Sequence, residues 1–207
     1  MDYPVMILVT LSVVAGMLLM DRFLNLLPLL ADSIFRARGS SSLENSVRAN
    51  HDRAVMAFYL MVPALLVIYR YRLYNPAFLR DLPDPWRLLA LAGVFGGWVL
   101  LSWVLYRLLK PRRRYDGYVR AHRASFTYFI IYMIPALATV GILALFHLSD
   151  ETVRLVLYAE TAVYYLFFLI RRAQILALSC NPFRTFLYLC GLEILPSVLL
   201  VVSAVLL

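Results

Sequence analysis

A chain of 207 residues that is 63% hydrophobic and only 15% charged, with a mean hydropathy of +0.78, lies far from the roughly half-apolar, quarter-charged composition of a soluble domain. A soluble core of this size cannot hide that much apolar surface, so lipid must be the solvent for most of it, and six spans leave no room for a separate soluble domain. The net charge of +8 rests on Lys110 and nineteen arginines; these sit in short stretches between apolar runs, where the positive-inside rule puts them, which argues against nucleic acid as a partner.

The apolar runs predict six transmembrane helices over about 4–20, 54–69, 86–109, 126–146, 152–170 and 186–207. Most approach the roughly 20 residues that a helical span needs. The fold class expected is therefore an all-α membrane protein, one polytopic domain over 1–207. The N-terminus has neither a basic n-region nor an A-x-A site, so the first run is expected to stay as a span. Phe23 to Leu30 is again apolar, and Gly39-Ser40-Ser41-Ser42 is a loop signal. Residues 23–38 read equally as an interfacial helix or as part of a long, kinked first span. The second span is short, and Ser41-Ser42-Leu43-Glu44 fits a capping box that would start its helix earlier.

Orientation follows from the basic residues. The first connection holds Arg22, Arg36, Arg38, Arg48 and Arg53; the third Arg107, Lys110, Arg112, Arg113, Arg114, Arg120 and Arg123; the fifth Arg171, Arg172 and Arg184. The second has Arg70, Arg72, Arg80 and Arg87, and the fourth Arg154 alone. Odd connections are expected in the cytoplasm and both termini on the opposite, periplasmic side. Arg112-Arg113-Arg114 reads as a topology anchor meeting anionic headgroups.

Two stretches align without a gap. Val47-Arg48-Ala49 leads to Pro63-Ala64-Leu65, and Val119-Arg120-Ala121 leads to Pro135-Ala136-Leu137. A weaker third copy places Pro196 in the same register. The pattern predicts parallel repeats of a helical hairpin, with Pro63, Pro135 and Pro196 as helix kinks. Each proline lacks an N–H, which frees the carbonyl four residues earlier, on Tyr59, Ile131 and Leu192. In lipid such a carbonyl needs a donor from a neighbouring helix or a water. Gly93, Gly96 and Gly97 predict close helix contact in the third span.

Ionisable groups inside a span are costly and are functional candidates by default. Glu160 falls roughly 15 Å from the cytoplasmic end of the fifth span and Glu193 roughly 12 Å from that of the sixth. Those depths would let them share a polar pocket, with Tyr164, Tyr165, Tyr188 and Cys190 adding polar atoms. Arg171 and Arg172 would cap the fifth span and snorkel to the interface. The functional reading is a proton or substrate site. The structural reading is a glutamic acid hydrogen-bonded to a facing helix, for Glu193 to the carbonyl that Pro196 frees.

No catalytic residue or cofactor is indicated. His51, His122 and His147 are scattered, and no Cys/His/Asp cluster has metal-ligand spacing. His51-Asp52 beside Asn50 reads as a solvated helix face. Cys180 and Cys190 are ten residues apart, too far along one helix for a disulfide, and read as free thiols. No nucleotide-binding, hydrolase-elbow or zinc-protease motif occurs.

Phe186-Leu187-Tyr188-Leu189-Cys190-Gly191-Leu192-Glu193-Ile194-Leu195-Pro196 resembles the C-terminal signature of an uncharacterised Bacteroidetes membrane family, domain of unknown function 4271, with Gly191 where a Thr is usual. The segment Phe126 to Leu137 also resembles that family's Pro-containing fourth span. The resemblance implies a bacterial inner-membrane location and no assigned activity, and it draws attention to Glu193, Tyr188 and Cys190. The expected function is a non-enzymatic scaffold or assembly partner, in contact with the lipid bilayer and with a protein partner in the membrane. The alternative is a small-solute or proton-coupled transporter or channel using Glu193 and Glu160. An enzyme acting on lipid ranks last, because no nucleophile–base pair is visible.

Overall fold

The computed structural model describes residues 3–35, 47–80, 82–109, 116–177 and 182–206. The expected capping box and serine loop, Lys110, Arg112–Arg114 and Cys180 lie outside the described residues, as do the side chains of His122 and Arg184. Among the described residues there is no strand. The helices are α1 (Tyr3–Leu18), α2 (Met20–Phe35), α3 (Val47–Arg70), the short α4 (Ala77–Arg80), α5 (Asp84–Leu108), α6 (Asp116–Leu145), α7 (Asp150–Ala177), α8 (Pro182–Leu189), a π-helical turn (Cys190–Ile194) and α9 (Leu195–Leu206).

Five helical stretches are long and apolar enough to cross a membrane: His51–Arg70, Trp86–Leu108, Ser125–Leu145, Asp150–Ala177 and Thr185–Ala204. A sixth arises if α1 and α2 count as one broken span, for they meet at a bend of 59°. Length and composition thus support five or six spans. The bend separates two chemistries. α1 carries no charged residue, whereas α2 carries Asp21, Arg22 and Asn25 and buries Leu26 and Leu30 against α3 and α6.

Helix ends follow local rules. Pro85 opens α5 in a first turn that needs no N–H. Ser149 caps α7, its Oγ accepting the Thr152 N–H at 3.3 Å, and Asp150 and Glu151 sit in that positive first turn. α3 and α6 close alike. After α3, the Leu73 N–H reaches the Ile68 carbonyl at 3.1 Å while Arg72 adopts φ 51°. After α6, the Leu148 N–H reaches Leu143 at 3.4 Å while His147 adopts φ 51°. This is the closure in which glycine usually takes the left-handed position; a side chain there costs about 1–2 kcal/mol.

Side-chain bonds set the helix directions. Arg53 near the start of α3 donates to Thr127 near the start of α6, so these two proline-bearing helices run parallel. Arg70 at the end of α3 meets Asp150 at the start of α7 at 2.9 Å, so α7 runs antiparallel to both. Tyr74, just after α3, bonds Ser203 near the end of α9 at 2.7 Å, so α9 returns parallel. α6 is the central element. Its Tyr128, Ile130, Ile131 and Met133 are buried between Met56, Ala57 and Leu60 of α3 and the aromatic face of α7. A smaller cluster, Tyr74, Leu79 and Leu91, seals the other end. Large apolar side chains outside these clusters, such as Leu11, Phe58, Leu145 and Val163, are exposed, as expected where lipid is the solvent.

Gly16 marks the closest approach of α1 to α3. A Cβ built there would sit 2.5 Å from the Tyr59 hydroxyl, the group that donates to the Ser12 carbonyl at 2.8 Å. Gly16→Ala should therefore lower the thermal midpoint in detergent, because about 1–3 kcal/mol of overpacking outweighs the gain of up to about 1 kcal/mol in helix propensity. In a Tyr59→Phe background, which removes the clashing oxygen, the same change should cost nothing. Gly93→Ala, which meets nothing within 4 Å, should not lower the midpoint in either background.

Candidate intramembrane polar site

The wide turn at Cys190–Ile194 is the local irregularity on which the site is built. The Leu195 N–H reaches back five residues, to the Cys190 carbonyl. Continued by one residue, that register would have Pro196 serve Gly191, and Pro196 has no N–H. The expectation that Pro196 orphans the Leu192 carbonyl assumed an unbroken α register. The carbonyl served from a neighbouring helix is instead that of Glu193, which accepts from the Tyr165 hydroxyl at 3.3 Å. π turns of this kind are frequent at functional sites. Gly191 lets the turn sit against α5: an added Cβ would lie 3.1 Å from Leu109 Cδ1.

The turn aims Glu193 at α7, where its carboxylate forms an ion pair with Arg172. Arg172 is 4% exposed and the Glu193 side chain 15%. Arg172 also donates to Ser125 Oγ on α6 at 2.8 Å, and its guanidinium lies 5.4 Å from the Phe168 ring centroid. One cation thus ties α6, α7 and the π turn together. This corrects two expectations. Arg172 does not snorkel to the interface; it points inward, because α7 continues to Ala177 and the arginine falls four residues before buried Leu176 on the same stripe. Glu193 finds a guanidinium, not a freed carbonyl. Arg171, one residue away and so on another face, is half-buried, 5.5 Å from the Phe167 ring centroid, and donates to Gln174 at 3.3 Å.

A second buried cation lies at the same end of the bundle. Arg53 is 6% exposed and donates to buried Thr127 Oγ1 at 3.3 Å. Ser125 and Thr127, two residues apart on α6, face opposite ways, so α6 offers one hydroxyl to each arginine. Arg22 adds an ion pair to Asp52 at 3.4 Å, joining α2 to α3. Asp52 is therefore not a purely solvated residue, whereas His51 beside it is exposed.

Glu160 does not join this cluster through a hydrogen bond. It stands twelve residues before Arg172 on α7, about 18 Å along the axis. One of its carboxylate oxygens is buried without a hydrogen-bond partner among the described residues. Beside it, the Thr161 hydroxyl donates to the Leu157 carbonyl at 2.6 Å and meets the Tyr132 hydroxyl at 2.8 Å. Tyr164 packs edge-on against Tyr132, centroids 5.6 Å apart. Tyr188 in α8 and Cys190 in the π turn are half-buried on the same helical stretch as Glu193, with Cys190 a free thiol. No group of three metal-ligating side chains occurs among the described residues.

Removing one member of a buried ion pair strands the other charge and costs about 3–5 kcal/mol, whereas removing both is far milder. Arg172→Gln and Glu193→Gln should each lower unfolding stability in mixed micelles, and the double variant should recover most of the loss. Additive losses in that cycle would show that the two side chains do not depend on each other.

No curated protein and no solved structure matches the chain. The model of one protein family, described as a domain of unknown function (DUF4271), matches residues 4–203. The match runs from the second residue of α1 to Ser203 in α9 and contains the π turn, its glutamate, Arg53 and Arg172. The chain belongs to the DUF4271 family.

Proposed function

We propose that this chain is a non-enzymatic scaffold of the bacterial inner membrane, a single polytopic domain over 1–207 with both termini in the periplasm, that assembles with a protein partner through α5. The observation that carries this reading is the glycine face of α5. Gly93, Gly96 and Gly97 are exposed, and a Cβ at any of them would meet nothing within 4 Å. Among the described residues these glycines serve no close helix contact, contrary to the expectation from sequence. Exposed Leu89, Leu100 and Trp103 flank them. Gly93 and Gly97 have the four-residue spacing that lets two membrane helices approach closely. The engagement of Glu193 by Arg172 supports the same reading, since it gives that carboxylate a structural task. A photo-crosslinking residue at Leu100 should capture a reproducible partner in native membranes, and Gly93→Ile should abolish the capture without lowering stability. Capture that survives Gly93→Ile, or no reproducible product, would exclude α5 as the docking helix.

Glu160 favours a second reading, proton-coupled transport, because a carboxylate oxygen inside a span with no hydrogen bond among the described residues is costly unless it has a task. Under this reading Glu160→Gln abolishes proton flux in reconstituted vesicles and leaves crosslinking through α5 intact. Wild-type vesicles no leakier than empty ones would rule it out.

A further inference from the structure

A cleft of about 810 Å³ opens between α1, α3 and α6, at the end of the bundle opposite the Arg172–Glu193 pair. Its size is in the range of small-molecule sites, roughly 300–1,000 Å³. Its walls are apolar, with Val9 and Val13 from α1 and Leu137 and Val140 from α6. Its rim carries Arg70, Arg72 and Arg87. Only Arg70 has a carboxylate partner among the described residues, Asp150. Arg87 is 8% exposed, yet its bond goes to the neutral Asn75 Oδ1 at 3.0 Å, and its other contact is the Tyr69 ring, 5.9 Å away. A buried cation held only by an amide and an aromatic face keeps uncompensated charge. Arg72 is also without an anion among the described residues and stands in the left-handed position where glycine would sit without strain. The fold thus keeps an arginine at the rim in a backbone conformation that favours glycine.

We propose that this cleft binds an anionic phospholipid, its phosphate between Arg72 and Arg87 and an acyl chain along the valine and leucine walls of α1 and α6. Two guanidiniums suit a phosphate, to which arginine offers paired N–H donors. The apolar walls suit the chain that a free anion lacks.

The test is thermal unfolding of the whole protein in dodecylmaltoside, titrated with phosphatidylglycerol, phosphatidylcholine or inorganic phosphate. Phosphatidylglycerol should raise the midpoint in a saturable manner, as a ligand of the folded state does; the other two should not. Arg72→Gly relieves the left-handed strain, so it should be no less stable than wild type without lipid, yet should bind phosphatidylglycerol about tenfold more weakly. Val140→Trp fills the wall, leaves the arginines in place and should also lose the shift. An equal shift from phosphatidylcholine would overturn the proposal, as would undiminished binding by Arg72→Gly. A phosphate-driven shift that Val140→Trp retains would mark a site for free anions, and the lipid assignment would fall.

Discussion

A guanidinium held among packed membrane helices must meet an anion or a set of oxygen acceptors, because no water is at hand to replace them. Arg172 meets both kinds, the Glu193 carboxylate and the Ser125 hydroxyl, and much of the bundle's arrangement depends on that. The three elements it joins come from three different parts of the chain. Apolar packing among membrane helices is weakly directional, since lipid tails are as apolar as leucine. A single buried polar centre can therefore select one register of α7 against α6 and the π turn, as isolated polar residues do in other helix assemblies.

The π turn completes this arrangement. Widening the helix by one residue rotates Glu193 relative to the preceding turns, and Pro196 ends the wide segment because it cannot donate a hydrogen bond. Tyr165 reaches the same turn from α7. The pairing of Arg172 with Glu193 and the Tyr165 bond thus hold the side chain and the backbone of one residue from one face of one helix.

The two ends of the molecule use arginine differently. At the end with the most basic connections, Arg53 and Arg172 are buried on hydroxyl and carboxylate partners within the bundle. At the other, Arg72 and Arg87 border an apolar cleft without a carboxylate among the described residues. Between them α5 leaves its glycines uncovered, so the chain's least filled surfaces lie apart from its most densely bonded core.

The sequence by itself determined that this is a helical membrane protein, where its apolar segments lie and which signature places it in its family, because span length and hydropathy are local properties of the chain. It also singled out Glu193, since a carboxylate within an apolar run is visible without any partner. What only the tertiary structure decided is which group answers that carboxylate. Arg172 read as an interfacial anchor because its burial depends on α7 running past Ile170 and on the stripe it shares with Leu176. Ser125, Thr127 and Arg53 carried no distinguishing signal, for a hydroxyl becomes a ligand to an arginine only once helices distant in sequence bring them together. The separation of Glu160 from the Arg172 cluster has the same origin. Depth in the membrane follows from counting residues, but which face of a helix meets which neighbour follows from packing, and packing is non-local.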